Sequence, residues 1–215
     1  PAYLRSIASV GMPISFPMVL ESAAFILTSI LALSFGALSA GAMQVSFSIA
    51  NIAWMITVAI GSASTIVVAH VFGAGARDEL RPTIMATYHL GLLWALIMSA
   101  TFVLFNYQIA SVFTDNEEVI VLTSKLMLLI AIYQFSDAVQ GLSVSMLRGL
   151  QDVKVIMPIV ACSYLLLNIP IGCTLAYIFD MGCQGLTIGL IIGLSSAALL
   201  TSLRLFHTLR RFERA

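Results

Sequence analysis

Between Ser22 and Ala76 the chain reads SAAFILTSILALSFGALSAGAMQVSFSIANIAWMITVAIGSASTIVVAHVFGAGA, without one Asp, Glu, Lys or Arg. A bilayer core about 30 Å thick is crossed by roughly 20 apolar residues in a helix, so this run suffices for two crossings joined by a turn. Further uncharged runs extend from Pro82 to Thr114, Val155 to Phe179 and Met181 to Leu203. Over its 215 residues the chain is 60% hydrophobic and 9% charged, against about 25% charged in a soluble domain. A water-soluble fold has no means of hiding that much apolar surface.

Working outward, apolar stretches between turn signals predict an all-α membrane protein of six transmembrane helices, near residues 13–33, 43–71, 83–105, 119–147, 155–178 and 182–206. Gly36 and Gly41 bracket the first joint, Gly73 to Gly75 and Pro82 the second, and Asn106 to Glu118 the third. Gly149 marks the fourth, and Asp180 with Gly182 the fifth. Phe72 to Arg77 and Leu147 to Asp152 echo each other faintly as basic, glycine-bearing helix ends.

Basic residues set an orientation, because short cytoplasmic loops retain Lys and Arg. Arg5, Arg77, Arg81, Arg148, Lys154, Arg204, Arg210, Arg211 and Arg214 all fall on one side of the predicted crossings. The opposite joints hold Asp115, Glu117, Glu118 and Asp180, with Lys125 as their one basic neighbour. Both ends are therefore expected in the cytoplasm of a multi-pass protein of the cell (inner) membrane, with the arginines near anionic lipid. The first residue is Pro1 and no signal-peptide pattern follows, which reads as a segment of a longer chain.

Two acids interrupt the apolar helices. Glu21 lies in the first and Asp137 in the fourth, each expected roughly 12–15 Å from the basic side, and so at one level. A charge at the bilayer centre costs roughly 2.5–3.5 kcal/mol on insertion scales, so intramembrane acids are functional by default, with an interhelical hydrogen bond as the plain alternative. Tyr133, Asp137, Gln140 and Arg148 share a helical face, flanked by Gln134 and Gly141. Gln44, Ser48, Asn51 and Ser62 form a second polar line, candidates for lining a substrate cavity together with Gln134, Gln140 and Asn168, although polar residues of this size also join helices. Pro13 and Pro17 precede Glu21, and Pro170 follows Asn168. Each removes a backbone hydrogen bond, which predicts hinges there, the last freeing the carbonyl of Leu166.

Zero net charge by itself suggests neither a nucleic-acid nor an acidic partner, and no nucleic acid is expected. Cys162, Cys173 and Cys183 lack metal-site spacing and read as packing thiols. With no phosphate loop and no nucleophile beside a base, the chain reads as neither an ATP-driven pump nor an enzyme, and no cofactor is expected.

The segment from Gly11-Met12-Pro13 to Pro17-Met18-Val19-Leu20-Glu21, then Tyr133-Gln134-Phe135-Ser136-Asp137-Ala138-Val139-Gln140, then Leu147-Arg148-Gly149-Leu150-Gln151-Asp152, resembles the C-terminal half of a multidrug and toxic compound extrusion (MATE) transporter of the NorM-like subgroup. The resemblance spans essentially the whole chain. It implies one lobe of a twelve-helix, two-lobed transporter that exports cationic or amphiphilic small molecules in exchange for sodium or protons. The N-terminal lobe of the same transporter is then an implied partner. It also implies that Glu21 and Asp137, with Tyr133 beside them, hold a monovalent coupling cation. Rival expectations are a lipid-linked oligosaccharide flippase, which calls for a more basic cavity, an intramembrane enzyme using the two acids as a pair, and an assembly module indifferent to loss of either acid.

Overall fold

The computed structural model describes the backbone of residues 2–214 and the side chains of residues 15–76 and 78–213. The side chains of Arg5, Pro13, Arg77 and Arg214 lie outside the described residues. Helices long and apolar enough to cross a membrane cover Ser15–Leu33, Ala37–Gly73, Asp78–Leu104, Glu117–Gly149, Ile156–Ile178 and Gly182–Glu213, the six expected.

In full, α1 runs over Ala2–Leu33, α2 over Ala37–Gly73, α3 over Arg77–Leu104, α4 over Asn106–Phe113 and α5 over Glu117–Gly149. The fifth crossing is built from α6 (Ile156–Ala161), a π-helical stretch Cys162–Asn168, α7 (Ile169–Cys173) and a second π-helical stretch Thr174–Ile178; α8 closes the bundle over Gly182–Arg214. Several elements are longer than hydropathy predicts. Gly41 lies inside α2 rather than in a joint, and Arg77 to Arg81 form the first turn of α3, where Asp78 and Glu79 suit the positive end of the helix dipole. The joint after α3 is not all loop, because α4 folds there as an eight-residue helix. α5 is capped by Asn116, whose side-chain oxygen accepts from the amides of Glu118 at 3.1 Å and Val119 at 3.3 Å.

The faint echo at the basic helix ends is a shared backbone motif, one position out of the sequence register. The Ala76 amide donates to the carbonyl of Val71 and the Asp152 amide to that of Leu147, with Gly75 at φ +68° and Gln151 at φ +61° in the left-handed position before them. Gly149 is not the turn residue. A Cβ there would stand 2.9 Å from the carbonyl oxygen of Thr65, so its lack of a side chain serves the close approach of α2 to α5.

Pro170 has no amide proton to give to Leu166. The fifth crossing answers with wider winding on either side of it, and the Ile169 amide bonds five residues back to the carbonyl of Tyr164. α1 is helical without interruption through Pro17.

α5 is the central helix, packed against α2, α3, α4 and α8, while α1 sits at the side against α2 and α6. α5 and α8 are parallel, and hydroxyls join them one heptad apart, Ser136 to Ser195 at 2.7 Å and Ser143 to Ser202 at 3.0 Å. Tyr88 of α3 caps the second pair, 2.6 Å from Ser143. On the other side of α8, Gly185, Gly189 and Gly193 recur every fourth residue beneath the fifth crossing, the small-residue spacing that lets membrane helices touch at backbone distance. Ile66, Leu93, Ile132, Leu166 and Leu203 are all more than half exposed, as lipid-facing residues of an integral membrane protein must be.

Candidate functional site

The polar face predicted on α5 is buried. Tyr133, Gln134, Asp137 and Gln140 keep 7%, 0%, 2% and 3% of their surface. Glu21 reaches toward this face from α1 and is itself half-buried. The residue that joins them was not foreseen. Tyr164, fully buried in the first π-helical stretch, places its hydroxyl 3.0 Å from Oε1 of Glu21 and 3.1 Å from Oε1 of Gln140. Through Tyr164 the acid of α1 meets α5 at the level of Gln140, about 4.5 Å along the helix from Asp137.

Asp137 has less support. Its Oδ2 is buried without a hydrogen-bond partner among the described residues, and so are both amide atoms of Gln134, Nδ2 of Asn168, Oγ of Ser163 and Nε of Arg148. A buried polar group left unpaired costs about 1–3 kcal/mol, so the Asp137 oxygen and the Gln134 amide, three residues apart on α5, need an occupant or a purpose. Carboxylate, hydroxyl and amide oxygens are hard donors, the chemistry that suits sodium, and carboxylates equally take a proton.

The structure therefore assembles Glu21, Tyr133, Asp137 and Gln140, with Gln134 beside them on α5. It does not bring Gln44, Ser48 and Asn51 into this group. Gln44 and Asn51 are exposed and Ser48 partly so, along an outer face of α2 shared with Met55 and Ser62. Asn168 is buried against α8, where a Cβ on Gly193 would stand 2.6 Å from its own. Pro17 is buried in α1 one turn before Glu21, and Pro170 is exposed. A signal for Tyr164 was present, since it is a tyrosine too deep in an apolar run to be an interfacial aromatic, the same reasoning that singles out Tyr133.

Residues 13–174 match the family model described as MatE, from before Glu21 to beyond Tyr164. The chain belongs to the MatE family. Among its relatives, a probable multidrug resistance protein NorM of Xylella fastidiosa strain Temecula1 is 35% identical over 204 residues, 94% of this chain and 43% of that protein. The multidrug resistance protein MdtK of Yersinia enterocolitica is 32% identical over 206 residues, 94% of this chain and 45% of that one. The crystal structure of the eukaryotic MATE transporter AtDTX14 superposes with a TM-score of 0.89 at 21% identity, covering 97% of this chain and 48% of the other, a likeness of fold. The chain spans about half the length of the curated MatE relatives it matches. These relatives are named as multidrug resistance proteins and MATE transporters, not as enzymes.

Proposed function

We propose that this MatE chain is the C-terminal six-helix lobe of a twelve-helix multidrug exporter, and that it supplies the site at which a coupling cation, sodium or proton, is exchanged for substrate. Glu21 and Asp137 bind the cation in this reading, with Tyr133 beside them, and the exported compounds are cationic or amphiphilic. The observation that carries it is Asp137, an acid 2% exposed on the central helix with an unpaired carboxylate oxygen, three residues from the Gln140 that Glu21 meets through Tyr164. Burial favours the neutral acid and a bound cation favours the ionised one, so proton and sodium compete for the same oxygens. Occupancy biases the lobe between its two arrangements only by its differential affinity for them. The prolines beside Glu21, Pro13 and Pro17, are the proposed hinge.

The N-terminal lobe of the same protein forms the far wall of the substrate path. Both ends of the segment face the cytoplasm of the inner membrane, following the one-sided distribution of Lys and Arg. The test is efflux of a cationic dye by the intact protein in proteoliposomes, with sodium and pH gradients imposed separately. Asp137→Asn is expected to abolish ion-driven efflux in a protein that still folds. Undiminished ion-driven efflux by that variant overturns the proposal.

A further inference from the structure

The Tyr164 hydroxyl carries one proton, yet it lies within hydrogen-bond distance of two oxygens, Oε1 of Glu21 and Oε1 of Gln140. A single proton cannot serve both acceptors fully, so one contact has to be completed by a proton from the other side. Two complete arrangements exist. With Glu21 ionised, Tyr164 donates to the carboxylate, and the Gln140 amide turns about its last bond so that its NH2 group donates to the Tyr164 oxygen. With Glu21 protonated, the acid donates to the Tyr164 oxygen, Tyr164 donates to Oε1 of Gln140, and the amide turns back. In each state both contacts of the Tyr164 hydroxyl are complete, and the hydrogen bonds run in opposite directions.

We infer that Tyr164 and Gln140 form a reversible hydrogen-bond relay that reports the charge state of Glu21 on α1 to the central helix α5, three residues from Asp137. Tyr164 is thus a positioning residue for cation exchange, and the inference rests on the reading of Glu21 and Asp137 as the cation site. Its place in the fold suits the role. Tyr164 is completely buried, and it sits in the wide π-helical stretch before Pro170, a winding frequent at functional sites. The relay therefore joins three crossings, through a hydroxyl 143 residues away in sequence from the acid it touches. Among the described residues, the titratable and charged groups around Glu21 besides Tyr164 are Tyr133, Asp137 and Arg148, all from α5.

Gln140 touches Glu21 only through Tyr164 in this scheme, and that makes the relay testable. Infrared difference spectra of the purified intact protein between acid and neutral pH contain the carboxylic C=O band of Glu21, assigned by its loss in Glu21→Gln. The band is expected to shift in Tyr164→Phe and in Gln140→Met, and Gln140→Met is expected to add nothing in the Tyr164→Phe background. An unmoved band in Gln140→Met, or shifts that add, overturns the relay. Should Tyr164→Phe fail to fold, the Gln140→Met spectrum alone decides. In proteoliposomes loaded with ethidium, each variant is expected to raise the half-saturating concentration of the driving cation about tenfold, the worth of one hydrogen bond to a charged group, with the maximal rate retained. A loss of maximal rate at unchanged half-saturation marks a merely structural role and overturns the inference. Coupled efflux surviving in Glu21→Gln and Asp137→Asn overturns the cation site itself. If those two variants abolish coupling while Tyr164→Phe and Gln140→Met leave half-saturation unchanged, the relay alone fails.

Discussion

Arg204 on α8 grips Asp152 in the loop after α5 with two bonds, Nε to Oδ2 at 2.7 Å and an Nη atom to Oδ1 at 3.2 Å. Thr208, one turn further along α8, donates to the same Oδ2 at 2.8 Å. The Arg204 side chain is 35% exposed, so solvent screening holds the pair to about 1 kcal/mol or less. The hydrogen bond from Arg204 keeps the Asp152 carboxyl below its usual range against the opposing effect of burial. A depressed carboxylate contributes stability above its unfolded value, near roughly 4, and loses that contribution as pH falls through the folded one. Asp152→Asn should therefore lower the detergent unfolding temperature at neutral pH. The difference from the parent should shrink as the melting curves are taken toward acid.

Two glycines should answer alanine with opposite signs. A Cβ on Gly189 would stand 2.4 Å from Cα of Gly172 and 2.8 Å from the carbonyl oxygen of Asn168, backbone atoms that cannot swing aside. Gly189→Ala is expected to destabilise by about 1–3 kcal/mol through overpacking. Gly41, inside α2, has nothing within 4 Å of the same construction, so Gly41→Ala should stabilise by roughly 0.5–1 kcal/mol. Paired melts of the two variants check both; equal effects would refute the packing account.

Gln151 occupies the left-handed position after α5, where Gly75 stands after α2. A side chain in that conformation costs roughly 1–2 kcal/mol, so Gln151→Gly should raise stability by about 1 kcal/mol while Gln151→Ala changes little. Chemical unfolding of the three proteins side by side measures the difference.

Asp137 is expected to trade stability for function. Its Oδ2 is buried and unpaired, and a buried unpaired charge destabilises a fold. Asp137→Asn should unfold at a higher temperature than the parent in cation-free buffer, with the gain reduced when saturating sodium is added to both. A lower unfolding temperature for the variant would show that the carboxylate is held by interactions it does not share with a cation.

Much of this molecule could be read from one dimension. The transfer cost of each residue into hydrocarbon is its own property, so uncharged runs sufficed to count six crossings, and Glu21 and Asp137 stood out for the same reason. Helix ends were less legible. α1, α3 and α8 continue past their apolar cores, because a helix does not stop where hydropathy does, and α4 is too short for that signal. Gln44, Ser48 and Asn51 form a polar stripe by periodicity, and a stripe alone does not say which neighbour it meets. The glycine spacing of Gly185, Gly189 and Gly193 was visible in the string, and its meaning lay in the helix opposite.

Composition and hydropathy alone place this chain in a bilayer, count its crossings and single out two acids expensive enough to need a reason. That Tyr164 stands between Glu21 and Gln140, and that paired serines lock α5 to α8, emerges from the packing of the helices. The physical reason is that helices apolar on every side carry no stripe to orient them. Which faces meet is then settled by close packing and by hydrogen bonds between residues far apart in the chain.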